Sequence, residues 1–210
     1  MFIPKIYRSE DQTLMKTIIN ENSFATLISA KEKLSATHSM FAIKETEEGF
    51  YLETHISKAN FQAKVLKDGD EVLCDFLGAH SYISSSWYEK MNVSTWNYEA
   101  VQISGTIELM NEEELYLHLE NLTTKYETAQ KCPMLVENMS GDFVRKEMKG
   151  AFGMKIFPIE IHIAQKLSQS RNEADFKNII LNLEESEYSN SKKIAEKMKT
   201  LQKPFQPFKG

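Results

Sequence analysis

Apolar residues near the start of the chain recur at the spacing of an α-helix. Four of them share one face: Leu14, Met15, Ile18 and Ile19. This spacing predicts an amphipathic helix over residues 9–22. Ser9 stands at the predicted N-cap and Gln12 follows three residues later, which is the spacing of a capping box.

Beyond residue 22 the pattern changes to short runs of β-branched and aromatic residues, which predict strands. These runs cover residues 24–30, 35–43, 50–55, 71–78, 99–109 and 151–165, with a further short strand at 81–84. Glu47-Glu48-Gly49 is the clearest turn between them. In the last run Ile159, Ile161 and Ile163 alternate with polar residues, as in a strand with one buried face.

Several helices are predicted between and after these strands. A short one covers residues 58–66, and Ser57 is placed to cap it. Asn111 caps a second helix, along which Leu115, Leu119 and Leu122 form a stripe, and another begins at residues 140–143. Two more helices, at 172–183 and 191–201, end the chain.

The order of these elements indicates the fold class. Strands crowd the first two-thirds of the chain without the regular βαβ alternation of a parallel sheet. The sequence therefore predicts an α+β protein, built on an antiparallel barrel or sandwich with peripheral helices. No internal repeat or Pro/Gly-rich linker interrupts it, which favours one main domain.

Composition fits a globular protein, with 41% hydrophobic and 26% charged residues. The first residues lack the apolar core of a signal peptide, and no run of about 18 apolar residues suggests a membrane span. Cys74 and Cys132 are far apart, so we expect free thiols in a reducing cytoplasm, with a disulfide as the alternative.

Charge is unevenly distributed along the chain. A formal net charge of -5 argues against general attraction to nucleic acid. From Lys192 to Gly210, however, there are six lysines and one glutamate. We interpret this segment as a solvated terminal helix and tail, and a nucleic-acid-binding arm is the alternative.

Familiar catalytic and phosphate-binding motifs are missing. The sequence has no G-x-G-x-x-G, Walker or G-x-S-x-G motif. The five histidines are scattered singly, so no local zinc site is predicted. Three of them, His38, His55 and His80, stand at or near predicted strand ends.

Polar and aromatic residues are concentrated in three segments. Residues 81–98 hold both tryptophans among serines and a threonine, and residues 55–62 hold amides at the start of a helix. Residues 166–171 combine Lys166 and Arg171 with hydroxyl and amide groups, a set suited to holding a phosphate. Ordinary helix capping and solvated charge are the alternative readings.

These segments, in this order, resemble the PaiB family of FMN-binding split-barrel proteins, whose members are named negative transcriptional regulators. The resemblance extends from Met1 to about Leu183. It is carried by FIPK at 2–5, FATL at 24–27, ATH at 36–38, His55 with Ala59, Asn60 and Gln62, His80 with YIS at 82–84, SWY at 86–88, TWNY at 95–98, and KLSQ at 166–169 with Arg171.

The resemblance implies a split β-barrel homodimer, related in fold to flavin reductases and pyridoxamine phosphate oxidases. FMN would lie in a cleft between the subunits. We expect one domain over residues 1–183, where the resemblance ends, and a separate basic helix and tail over 184–210.

Candidate FMN contacts follow from the matched positions. Polar contacts are expected from Thr37, His38, Asn60, Gln62 and Ser84. Ring or cleft walls are expected from Trp87 and Trp96, with Asn97 as an edge contact. Phosphate or ribityl contacts, partly from the partner subunit, are expected from Lys166, Ser168, Gln169 and Arg171. No catalytic residue is assigned.

The chain departs from the family mainly at prolines. Members usually have proline where this chain has Met40, Phe61, Ser85 and Ser94, and asparagine where it has Ser170. Since proline fixes φ, its loss removes loop rigidity rather than hydrogen-bonding groups.

Three further functions stay open at this stage. The flavin could accept electrons from NADH or NADPH, which would make the protein an oxidoreductase. Related split barrels bind haem, and His38, His55 and His80 are candidates for that. DNA contact, if any, is expected from Lys192 onward.

Overall fold

The barrel is built from strands that alternate inward-facing apolar and outward-facing polar residues. The computed structural model describes residues 1–201, and in that range it has seven strands and six α-helices. The strands are β1 (Arg8–Ser9), β2 (Phe24–Ser29), β3 (Ser35–Thr46), β4 (Gly49–Ser57), β5 (Glu71–Ile83), β6 (Thr95–Leu109) and β7 (Ala151–Lys166). The helices are α1 (Gln12–Glu21), α2 (Phe61–Val65), α3 (Glu112–Glu127), α4 (Gly141–Met148), α5 (Glu173–Glu185) and α6 (Ser189–Thr200).

The strands pair in the order β1-β7-β4-β3-β2-β5-β6, and β7 also pairs with β6. That last pairing closes six strands into an antiparallel barrel, while the two-residue β1 extends β7, with Arg8 opposite Ala164. The predicted α+β class is confirmed, and the architecture is a barrel rather than a sandwich. The turn predicted at residues 47–49 joins β3 to β4, where Thr46 faces Gly49.

Two predicted helix caps are wrong. Asp11, not Ser9, caps α1, because its carboxylate accepts from the amides of Thr13 and Leu14. Ser9 instead pairs with Ile163 as part of β1. Asn60, not Ser57, caps α2 by accepting from the amide of Gln62. The predicted cap of α3, Asn111, is confirmed, and α4 and α5 begin near the predicted residues, capped by Ser140 and Asn172.

Two strands are longer than predicted. β5 runs without a break from Glu71 to Ile83, so the separate strand at 81–84 is wrong. Gly78 does not end the strand. A Cβ there would lie 3.2 Å from the carbonyl oxygen of Glu99, so glycine permits close backbone approach. β6 begins at Thr95 rather than at residue 99, which brings Trp96 and Asn97 into the strand.

The alternation predicted in β7 is only partly matched by burial. Ile163 is buried, but Ile159 is exposed. An alternating pattern specifies which residues share a face, whereas the packing of neighbouring elements decides whether that face is covered.

The chain forms two compact units. Unit 1 comprises Met1–Asn22, Phe76–Gln102 and the described chain from His162, and unit 2 comprises Ser23–Asp75 and Ile103–Ile161. The division at residue 183 stays a prediction. In unit 1 the two C-terminal helices share one core with the end of β5. Its buried members are Ala79, Ile83, Tyr88, Leu167, Phe176, Ile179, Leu183, Ile194, Ala195 and Met198.

Unit 2 has its own buried apolar residues. Those with no exposed surface include Leu27, Phe41, Leu52, Met154 and Ile156. A smaller cluster, consisting of Leu115, Val136, Val144 and Met148, joins α3 to α4. The two thiols are free, as predicted, and burial raises the pKa of Cys74 well above its usual range. In residues 1–201 no helix is long and apolar enough to cross a membrane.

The basic C-terminal segment is only partly solvated. On α6, Lys192 and Lys193 are exposed, whereas Ile194 and Met198 are fully buried. Lys197 points inward and lies 2.8 Å from a carboxylate oxygen of Glu99, a residue that is 1% exposed. Lys203 and Lys209, in the predicted tail, lie outside the described residues.

Because Lys197 pairs with buried Glu99, substituting Lys197 should lower the free energy of unfolding much more than substituting Lys199 on the same helix. Lys197→Met leaves a buried carboxylate without its cation, so the free energy of unfolding should fall by about 3 kcal/mol. Lys199→Met is the matched control. Lys199 pairs with Glu184 at the surface, and its loss should cost less than about 1 kcal/mol. Urea titration measures both, and equal losses would contradict the prediction.

Candidate functional site

Three of the predicted cofactor contacts form one hydrogen-bond network in unit 2. The hydroxyl of Thr37, on β3, donates to Oε1 of Gln62 at 2.5 Å and accepts from Nδ2 of Asn60 at 2.8 Å. Gln62 is fully buried, and its Nε2 donates to Oγ of Ser29 at 3.0 Å. The network therefore joins β2, β3 and the start of α2, and it fixes the Thr37 and Asn60 side chains.

His38 lies next to this network but outside it. Its exposed ring stacks on Phe24, with the ring centroids 5.8 Å apart. Adjacent residues of a strand point to opposite faces, so the side chains of Thr37 and His38 cannot contact a ligand on the same face of β3.

In unit 1, Trp87 and Trp96 line a cavity of about 400 Å³. Two aromatic residues of β5 complete this wall: the ring of Trp96 is 6.0 Å from that of Tyr82 and 6.1 Å from that of His80. We call this the aromatic cavity. Its volume lies within the range of small-molecule sites, and its aromatic lining suits a flat ligand.

The far side of the aromatic cavity was not predicted. It is lined by Ser186 and Tyr188, between α5 and α6, and by Asn190 and Ser191 in the first turn of α6. They lie beyond residue 183, where the family resemblance ends, so only their polar and aromatic character was visible in the sequence. Oγ of Ser191 lies 2.9 Å from Oγ of Ser81, which connects α6 to β5.

Three other predicted contacts hold the turn after β7. Asn97 is fully buried, and its Nδ2 donates to Oγ of Ser168 at 2.9 Å. Ser168 has a φ of +60°, in the left-handed region. Gln169 accepts from the amide of Leu167 at 2.7 Å and donates to the carbonyl of Gln165. These side chains stabilise a strained turn.

That turn carries two cations, Lys166 and Arg171. The Lys166 ammonium lies 2.5 Å from Oγ1 of Thr95, and the Arg171 guanidinium lies 4.7 Å from the centre of the Tyr88 ring. Among residues 1–201, neither cation has a carboxylate within 4 Å. Burial lowers the pKa of Lys166, and the charge of Arg171 lowers it further. An anion bound here would raise the pKa of Lys166 and so oppose both effects.

Ser84 is not part of either group. Its hydroxyl accepts from the amide of Ser86 at 3.2 Å and caps the short 3-10 turn at Ser85–Trp87. It positions the Trp87 segment without lining the aromatic cavity.

Sequence reasoning singled out His55 but not the hydrogen-bonded series of two imidazoles and a carboxylate to which it belongs in unit 2. Nδ1 of His55 lies 3.0 Å from Nε2 of His118, and Nδ1 of His118 lies 3.2 Å from Oε2 of Glu53. His118 is on α3 and has no exposed side-chain surface. Burial lowers the pKa of His55 to about 4, and the charge of His118 contributes. Within the described part of the chain, no three His, Cys, Asp or Glu side chains are grouped to hold a metal ion.

Comparison with known proteins gives a family match over most of the chain. Residues 1–165 match the family model described as "Putative FMN-binding domain". The chain belongs to this FMN-binding family. A family relative is "Protease synthase and sporulation protein PAI 2" of Bacillus subtilis. It is 36% identical over 199 residues, which cover 94% of this chain and 96% of that protein.

Solved structures of split-barrel proteins share the fold of this FMN-binding family member. The FAD and haem binding protein of Mycobacterium smegmatis matches with a TM-score of 0.59 at 15% identity, covering 76% of this chain and 73% of that one. The flavocytochrome Anf3 of Azotobacter vinelandii matches with a TM-score of 0.56 at 17% identity, covering 83% and 78%. The predicted split-barrel fold is thereby confirmed.

FMN is the cofactor of this family member, and the basic turn fits part of it. A phosphate needs charged donors that no internal carboxylate neutralises, and Lys166 and Arg171 meet that requirement. Bound FMN would supply redox chemistry that none of the side chains provides.

The buried His55 predicts a pH dependence of stability. An unfolded chain protonates this imidazole near pH 6.5, whereas the folded protein does so only near pH 4. Because the unfolded state binds more protons in between, the free energy of unfolding falls as the pH drops from about 6.5 to 4. His55→Gln should remove about 1–2 kcal/mol of the fall between pH 7.5 and 5.

Urea titrations at both pH values measure this effect, with His162→Gln as the control histidine. If His55→Gln and the wild type lose the same free energy on acidification, the proposed burial effect is refuted.

Proposed function

We propose that this chain is an FMN-binding regulatory protein of the PaiB type, in which Lys166 and Arg171 bind the FMN phosphate. The observation that carries the proposal is the pair of cations on the turn after β7, close enough for one to lower the pKa of the other and without a carboxylate partner in residues 1–201. A phosphate dianion is the complementary ligand for such a pair, since a lysine supplies a point charge and an arginine supplies a planar fork of donors.

The neighbours of this pair support the same role. Asn97, Ser168 and Gln169 stabilise the turn, so we assign them to shaping the phosphate site. Trp87 and Trp96 remain the proposed walls for the flavin ring. Thr37, His38, Asn60 and Gln62 in unit 2 stay predicted cofactor contacts, and so does Ser84.

A homodimer would let two chains supply the phosphate and ring contacts of one FMN site. Thr95, which contacts Lys166, and Trp96 are adjacent in β6, so their side chains point to opposite faces of the strand. We infer that one protomer supplies the basic turn and its partner supplies the aromatic wall of the same FMN site. Exposed Trp96 and Tyr82 would then be covered in the dimer.

The regulatory part of the proposal rests on the relative. The Bacillus subtilis protein is named for protease synthesis and sporulation, which is consistent with a regulator. Any DNA contact is proposed for exposed Lys192 and Lys193 of α6. A cytoplasmic location and reduction of the flavin by NADH or NADPH also stay predictions.

The phosphate assignment is tested with two flavins. Lys166→Gln should weaken FMN binding about ten-fold or more, because one charge-assisted contact is lost. Its affinity for riboflavin, which has no phosphate, should not change. Lys177→Gln is the control, since Lys177 is exposed and pairs with Glu173 within α5.

Titration of flavin fluorescence with purified protein measures both affinities. If Lys166→Gln loses the same affinity for FMN and for riboflavin, Lys166 does not bind the phosphate. Unchanged FMN binding would rule out Lys166 as a contact.

Haem binding is a second candidate function, and the geometry of His80 favours it. Nδ1 of His80 lies 2.9 Å from the carbonyl oxygen of Gly78, and the ring lines the aromatic cavity. A histidine whose Nδ1–H is held by a carbonyl presents Nε2 to a metal. Of the three histidines considered, His80 is therefore the proposed haem ligand.

Haem titration tests this candidate. Wild-type protein and His162→Ala should develop a Soret band, and His80→Ala should lose it or show a shifted one. Identical spectra for wild type and His80→Ala would exclude His80 as the ligand.

A further inference from the structure

The hydrogen-bonded series Glu53, His118 and His55 links a buried carboxylate to a partly exposed imidazole. Glu53 is 8% exposed and lies on β4 with His55, and His118 connects them from α3. A buried ionisable group is costly, so two imidazoles and a carboxylate in one series need a reason beyond packing. Nε2 of His55, at the outer end, has no partner among residues 1–201.

The donors and acceptors in this series are set by the carboxylate. An ionised carboxylate only accepts, so Nδ1 of His118 carries the proton that is donated to Glu53. When His118 is neutral, its Nε2 is an acceptor, and His55 must donate from Nδ1. The lone pair of His55 then lies on Nε2.

We propose that Glu53, His118 and His55 form a proton relay, with Nε2 of His55 as the acceptor for a proton from a bound weak acid with an O–H or N–H group. As Nε2 of His55 takes this proton, the Nδ1 proton of His55 moves to Nε2 of His118. His118 becomes an imidazolium paired with Glu53, and His55 stays neutral in the opposite tautomer. The weak acid leaves as its anion.

The surrounding charges are consistent with this direction of transfer. Burial disfavours a positive charge on His55 itself, so the charge is better placed next to Glu53. From β3, the Lys44 ammonium lies 3.7 Å from Glu53, and burial and the charge of Glu53 raise the pKa of Tyr51 on β4. The Lys155 ammonium on β7 pairs with Glu114 of α3 at 2.6 Å and with Glu108 of β6 at 2.7 Å. The carboxylate in direct contact with His118 is that of Glu53.

The relay goes beyond FMN binding and does not depend on it. His118 and Glu53 are positioning residues, because they act through His55. Only His55 would contact the proton donor.

Nitrogen-15 NMR of the full chain labelled at histidine tests the relay without any substitution. At pH 8, His55 should show protonated Nδ1 and unprotonated Nε2. On acidification, His118 should become an imidazolium while His55 changes tautomer and stays neutral. Protonated Nε2 on His55 at pH 8, or His55 becoming an imidazolium before His118, would overturn the proposal.

Glu53→Gln provides the second measurement. Without the carboxylate, the tautomer change should move to lower pH by about one unit or more, because the imidazolium on His118 loses its partner. Glu48→Gln, on the exposed β3–β4 turn, is the matched control and should leave the change in place. If the tautomer change occurs at the same pH in Glu53→Gln and in Glu48→Gln, the relay is also overturned.

Discussion

The arrangement of unit 1 depends on neutralising one buried carboxylate. Glu99 lies on β6 with 1% of its surface exposed, and it needs the ammonium of Lys197 on α6. Burial alone would lower the pKa of Lys197, but the hydrogen bond and charge of Glu99, with the charge of Glu21, raise it instead. Gln165 on β7 binds the other carboxylate oxygen at 2.9 Å. One acidic side chain thus joins two strands to the last helix.

That connection determines the candidate site. Helix α6 contributes Tyr188 and Ser191 to the aromatic cavity, so the cavity exists only where α6 is held against β5 and β6. On the same face of β6 as Glu99, Asn97 holds Ser168 in its left-handed conformation. The turn that presents Lys166 and Arg171 is stabilised in this way. The buried polar contacts of Glu99 and Asn97 therefore order both the basic turn and one side of the cavity.

Unit 2 also contains buried polar networks. In one of them, the imidazole nitrogens can act either as donors or as acceptors. Gln62 satisfies its amide within the barrel and holds Thr37 and Asn60 in fixed positions. The Glu53–His118–His55 series is also internally bonded, yet each imidazole can exchange donor and acceptor roles. The first network fixes side chains, whereas the second can relocate a proton without moving the backbone.

The sequence by itself determined the approximate positions of β2 to β7, the cap of α3, the α+β class and the resemblance to FMN-binding proteins. Local spacing and capping chemistry encode such features within a few residues. Tertiary structure alone decided that Gly78 lies inside a continuous strand, that Lys197 is paired rather than solvated, and that His118 meets His55. These outcomes depend on which distant segments pack together, and a pattern of apolar and polar positions does not specify a partner 60 or more residues away.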